Sequence, residues 1–226
     1  LVLAIQAGDN RNLSGHRHLD LGSFILEASG RRWVIDSGTE GETYQTHRHH
    51  NPRAAYYRVR AEGHNTLVLN PGPGPDQAMK AVAPIAAFEA SGDGGRAVVD
   101  LSAAYAPHAR RAVRTFEMRD RARVTVTDEI LAEAPADLWW FAHTPAEIDL
   151  APDGRSATLR IDDRRMAVRL AEPADARFEI RKAQPLPASP NPEKQAANRF
   201  RKLAVHLAGV RQTRIVVHFE PQNPPR

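Results

Sequence analysis

Apolar residues in this chain recur at every second position far more often than at helical spacing. Residues 21–28 alternate between apolar and polar, Ser29-Gly30 carries turn chemistry, and 32–36 reads as the returning strand of a hairpin. The same period predicts strands over 81–89, 96–101, 111–118 and 123–131, with a tight reversal at Arg119-Asp120-Arg121. Leu138-Trp139-Trp140-Phe141 is a dense apolar strand suited to a core. Further strands are predicted at 148–150, 158–161, 166–170 and 177–181, and a closing hairpin at 202–207 and 214–219 around a Gly-containing turn.

Between these lie segments that resist regular structure. Residues 39–51 are polar and His-rich, which predicts a long surface loop. Residues 56–60 and 64–70 have extended character. Pro71-Gly72-Pro73-Gly74-Pro75 forbids both helix and central strand, and four prolines between 184 and 198 predict an exposed loop. No segment keeps a 3.6-residue period over three turns. Short strands near ten-residue spacing therefore predict an all-β chain built as a large antiparallel β-sandwich, a single domain over residues 1–226.

Composition narrows the classes. At 226 residues and 42% hydrophobic content, one large domain can bury a core. The formal net charge of +4 comes from arginines scattered among acids, and aromatic content is only 6%. A nucleic-acid footprint needs a dense basic patch with aromatics between, so that class is disfavoured, whereas a mild positive field suits an anionic substrate. Without cysteine, any metal must be held by His, Asp or Glu. No apolar run approaches the ~20 residues of a membrane-spanning helix. The apolar start Leu1-Val2-Leu3-Ala4-Ile5 lacks the charged beginning of a signal peptide and reads as mid-strand, as in a fragment of a longer chain.

Chemistry concentrates in Gly15-His16-Arg17-His18-Leu19-Asp20-Leu21-Gly22-Ser23-Phe24. In an extended segment His16, His18 and Asp20 would share one face. Three ionisable groups there suit metal ligation or general acid/base work, although an exposed polar face of an edge strand gives the same pattern. Asp36 closes an apolar strand, and His64 opens His64-Asn65-Thr66-Leu67-Val68-Leu69. If the 21–36 hairpin is tight, Asp36 returns near His18, and His64 completes a His-Asp-His set for a divalent cation such as zinc. Each residue also has an ordinary reading, as turn former or exposed strand end.

Together with Arg32-Trp33-Val34-Ile35-Asp36-Ser37-Gly38 and the run from Tyr57 through Glu62-Gly63-His64-Asn65-Thr66-Leu67, this stretch resembles the heparinase II/III family of polysaccharide lyases. The motif resemblance covers residues 5–70. It implies the C-terminal β-sandwich of an enzyme whose N-terminal helical toroid, bearing the catalytic Tyr and a carboxylate-neutralising Asn or His, has no counterpart here. By position it implies His16 as the catalytic histidine and His18, Asp36 and His64 as ligands of a mainly structural zinc. The implied partner is an acidic polysaccharide, such as a heparin-, heparan sulfate-, alginate- or hyaluronate-like glycan, and relatives suggest a periplasmic home.

Other candidates are smaller. Tyr44, Tyr56 and Tyr57 can line a sugar cleft, and Arg58 and Arg60, on one strand face, can meet a carboxylate, with packing and solvation as the ordinary alternatives. His47-Arg48-His49-His50 can bind metal adventitiously. His108, His143, His206 and His218 show no partner pattern, and at least one of Trp139 and Trp140 belongs to the core. A noncatalytic carbohydrate-binding or interface module with a structural metal is the competing function. A cupin-like metalloenzyme is disfavoured because no Glu follows the second His at short spacing.

Overall fold

Alternating burial along two very long strands organises the molecule. In β10 (Arg123–Thr144) the inward positions Val124, Val126, Asp128 and Ile130 are buried, and β9 (Ala109–Arg119) answers with Ala112, Arg114 and Phe116. The computed structural model describes residues 1–11, 17–38, 53–192 and 200–222. Within them β10 pairs antiparallel with β9 on one side and with β15 (Arg201–Pro221) on the other.

The large sheet runs β11 (Glu147–Leu150), β12 (Ser156–Ile161), β13 (Arg164–Glu172), β15, β10, β9, β8 (Gly94–Asp100), β7 (Ile85–Ser91). Two short strands, β5 (Leu67–Leu69) and β14 (Phe178–Lys182), add to β10 and β15. A second sheet of β1 (Val2–Ile5), β3 (Phe24–Ala28) and β4 (Arg31–Val34) faces the first. Phe24 of β3 lies 5.8 Å from Phe116 of β9 and 5.9 Å from Phe219 of β15, measured between ring centroids. A last pair, β2 (Gly8–Asp9) with β6 (Val82–Ala83), ties the start of the chain to the edge. The antiparallel all-β architecture is as the alternation predicts.

The 29–30 turn also forms as expected: Ser29 and Gly30 both take positive φ, 52° and 71°, as a two-residue hairpin requires. Three expectations change. The closing hairpin is instead the single strand β15, and 123–131 and 138–141 are likewise one strand. Their pairing continues through register shifts between Leu131 and Leu138. Gly209, at φ 68°, supplies a left-handed kink opposite rather than a chain reversal. A bulge bends a strand without ending it, so β10 exchanges β9 for β5 and β15 exchanges β13 for β14 along their lengths.

Secondly, residues 17–23 form no strand. Leu19 is buried with Tyr56 and Val59, and its N–H bonds Val59 O at 2.7 Å, so adjacent residues His18 and Leu19 both face inward. Thirdly, 53–55 and 61–63 are 3-10 turns, and of 56–60 and 64–70 only Leu67–Leu69 forms a strand. Gly63 makes that compact turn possible: a Cβ there would stand 2.1 Å from Tyr57 O.

Candidate metal and catalytic site

The hairpin β3–β4 and the turn preceding β5 bring Asp36 and His64 together. Ile35 N–H bonds His143 O at 3.0 Å, which fixes the end of the hairpin against β10. His64 follows the 61–63 turn, its N–H bonding Ala61 O at 3.0 Å. Its Nδ1 lies 2.7 Å from Asp36 Oδ2, and Asp36 Oδ1 accepts the Gly38 N–H at 2.8 Å. The His18 ring stands 5.2 Å from the His64 ring, tilted by 43°. Three segments remote in sequence thus approach one another at His18, Asp36 and His64.

The electrostatics follow from burial and neighbours. Burial, aided by the charges of His64, Arg53 and Arg58, pulls His18 down to about 4, so it is neutral at ordinary pH. Burial pushes the Asp36 carboxyl up, but the His64 imidazolium and the bonds from His64 and Gly38 outweigh it and hold the group well below the carboxylate range. For His64, burial acts downward and is overcome by Asp36 and Asp20, leaving a raised value. Burial raises Asp20, which lines a shallow cavity of about 170 Å³ with Gln6, Ser23 and Asp36.

Several buried side-chain atoms lack a hydrogen-bond partner among the described residues, Asn10 Oδ1 and Trp140 Nε1 among them, and two such atoms fall at this site. The Nε2 atoms of His18 and His64 are buried and have no hydrogen-bond partner among the described residues. Buried polar atoms are normally satisfied, so an orphaned pair of imidazole nitrogens asks for an occupant. The residues fit a divalent cation in kind: imidazole and carboxylate are zinc donors, with His64 giving up a proton on binding. Among the described residues, however, no group of three or more His, Cys, Asp or Glu side chains is assembled as a metal-holding set. Asp36 bonds His64 Nδ1 and so orients the ring, and a cation would take Nε2 in place of its proton, an arrangement common around metal-ligating imidazoles.

The remaining predicted residues divide sharply. His16, Tyr44, His47, His49 and His50 lie outside the described residues. Tyr57 does not open onto a cleft: it is 3% exposed, and its hydroxyl sits 2.7 Å from His143 Nε2. Arg58 and Arg60 share no strand face, because the chain turns there. Arg58 donates to Ser37 O beside the histidines. The Arg60 guanidinium is wholly buried, ion-paired with Glu62 and Asp76 and bonded to Gly72 O and Gly74 O at 3.1 and 2.8 Å. A charge so enclosed serves the fold, and Arg60 is not a surface for substrate.

Trp140 is core, while Trp139 is packed between His206, stacked at 3.9 Å, and Arg181 at 4.5 Å. Of the histidines without a sequence pattern, His143 has defined partners in Tyr57 and Asn65, His206 in Asp137, and His218 in Thr125. Asn65 is the residue that sequence reasoning passed over. Its only signal was its place beside His64 in the run His64-Asn65-Thr66.

Comparison with known proteins agrees with this fold. The family model described as heparinase II/III-like, C-terminal, matches residues 1–225. Among solved structures, a heparinase III superposes with a TM-score of 0.71 at 16% identity, covering 97% of this chain and 32% of that one. The heparan sulfate lyase HepC from Pedobacter heparinus gives 0.69 at 13% identity, covering 93% and 32%. A further heparinase III gives 0.66 at 14%, covering 95% and 31%. The chain thus spans about a third of the length of these proteins. A search of curated proteins by sequence finds no match.

Proposed function

This chain belongs to the heparinase II/III-like family, as its C-terminal β-sandwich, and on that premise we propose that it forms part of a polysaccharide lyase acting on uronate-containing glycans. The observation that carries the reading is the approach of His18, Asp36 and His64, with the Nε2 atoms of both imidazoles unpartnered among the described residues, shortly after His16 in the chain. Heparin-like, heparan sulfate-like, alginate-like and hyaluronate-like chains share the needed feature, a carboxylate one carbon from the proton to be removed.

In β-elimination a base takes that C5 proton, its electron pair forms the C4–C5 double bond, and the C4–O4 bond breaks. The departing oxygen takes a proton and the new end is an unsaturated uronate. Negative charge builds on the carboxylate in the transition state, so donors or cations must stand opposite it. His16 acts as the base or as the acid for the leaving oxygen. His18, Asp36 and His64 would hold a zinc ion, which supplies folding energy and local positive charge. Arg58 donates to Ser37 O, and Asp36 orients the His64 ring. The remaining catalytic groups come from a helical domain of the same polypeptide.

The test is turnover by the full-length protein on each glycan class, read as the ultraviolet absorbance of unsaturated ends. His16→Ala is expected to abolish it. Undiminished turnover removes His16 from the chemistry, and no turnover on any acidic glycan, with glycan binding retained, favours a noncatalytic binding module.

A further inference from the structure

Around the histidine–aspartate pair one buried side chain touches every segment that the pair depends on. Asn65 Nδ2 donates to Phe24 O and to Ile35 O, both at 2.7 Å, joining β3 and the end of the β4 hairpin. Its Oδ1 must then be the acceptor, and it takes the His143 N–H at 2.6 Å and His143 Nδ1–H at 3.1 Å. That fixes the tautomer: His143 is protonated on Nδ1, so Nε2 accepts the Tyr57 hydroxyl at 2.7 Å. Burial, reinforced by the Lys202 charge, keeps His143 neutral, as this network requires. The Asn65 backbone is tied down as well, its N–H bonding Ser23 Oγ at 3.1 Å and its carbonyl accepting from Arg114 at 2.7 Å. Ile35 directly precedes Asp36, and Asn65 directly follows His64.

We propose that Asn65, locked by His143 and Tyr57, is the positioning residue that sets the spacing of Asp36 and His64 for a divalent cation. The inference rests on the zinc reading above and adds the means by which the two chain segments are held in register. Neither Asn65 nor His143 needs to touch the ion. Outer partners of this kind typically change metal affinity by about 10–100-fold.

The experiment uses the purified chain titrated with Co2+ and Zn2+, with the cobalt absorption band as reporter of ligand geometry. Asn65→Asp keeps the acceptor and removes both donors, and its affinity is expected to fall by about 10–100-fold with a shifted band. Tyr57→Phe removes only a hydroxyl, and is expected to weaken binding by about threefold to tenfold, the equivalent of one hydrogen bond. A purely structural role lowers the thermal midpoint of the metal-free chain yet leaves band and affinity of the folded protein unchanged, and that result overturns the proposal. If Asn65→Asp does not fold, Tyr57→Phe decides. If the unaltered chain takes up neither ion, the zinc reading fails by itself, and positioning is read in the metal-free chain from the His64 Nδ1 proton. Its solvent exchange is expected to accelerate in folded Tyr57→Phe, and unchanged exchange overturns the proposal.

Discussion

Two buried charged centres in this domain differ in one respect that separates architecture from chemistry. Arg114 and Asp128, directly opposed on β9 and β10, are fully buried and joined by two bonds of 2.7 and 2.9 Å. The remaining Arg114 donor, Nη1, reaches Gly22 O and Asn65 O at 2.7 Å each. Each nitrogen of that guanidinium is bonded, through four of its five N–H groups. At His18 and His64 the burial is nearly as deep, with the Asp36 side chain 30% exposed, yet two imidazole nitrogens have no partner among the described residues. A fully partnered buried charge holds a fold together, whereas an unpartnered imidazole nitrogen beside a carboxylate leaves an atom free for a ligand.

Breaking the finished centre should cost most. Arg114→Ala strands Asp128 and frees two carbonyls, so a loss of about 3–5 kcal/mol is expected in chemical denaturation. A loss below ~1 kcal/mol would show that the pair is not the clamp described here. The open centre should respond to metal instead. With free Zn2+ at about a thousand times its dissociation constant, the chain should gain ~4 kcal/mol, and His64→Ala should erase the gain. An equal gain in His64→Ala would place the ion elsewhere.

A third, smaller effect probes the charges behind the site. Burial pulls the Lys202 ammonium down to about 8, against the opposing pull of Glu62 and Asp76. Between about 8 and its ordinary value of 10.5 the unfolded chain binds the proton that the folded one has lost. Stability from this group therefore rises as pH climbs through that window, by an amount on the order of 3 kcal/mol. The rise should be missing from Lys202→Met in paired denaturation curves, and an identical pH profile would refute the assignment. Least of all should come from Arg111→Ala. That arginine bonds Glu129 at 3.0 Å with both side chains about half exposed, so stability should change by less than ~1 kcal/mol. A cost comparable to Arg114→Ala would mean that burial is not what separates the two.

Much of this was legible in order along the chain. Period-two alternation gave the strands and the all-β class, and Ser29-Gly30 gave its turn, because a buried sheet face demands apolar residues at every second position. That Asp36 stands at the end of a hairpin was also legible, whereas the approach of His18, from a segment that is not a strand, and of His64, from after a 3-10 turn, was not. Not legible was that β10 and β15 run on past Leu131 and Gly209. Local turn chemistry reads the same whether a glycine reverses a strand or only kinks it, and the choice falls to the partner strand. Nor could residue types say that Arg60 turns inward to Glu62 and Asp76 while Arg58 stays beside the histidines, or that Asn65 and His143 meet. Residue identity sets which groups need partners. Which partners they obtain is decided by contacts across dozens of positions, such as the 78 residues between Asn65 and His143, and those exist only once the sheets have packed.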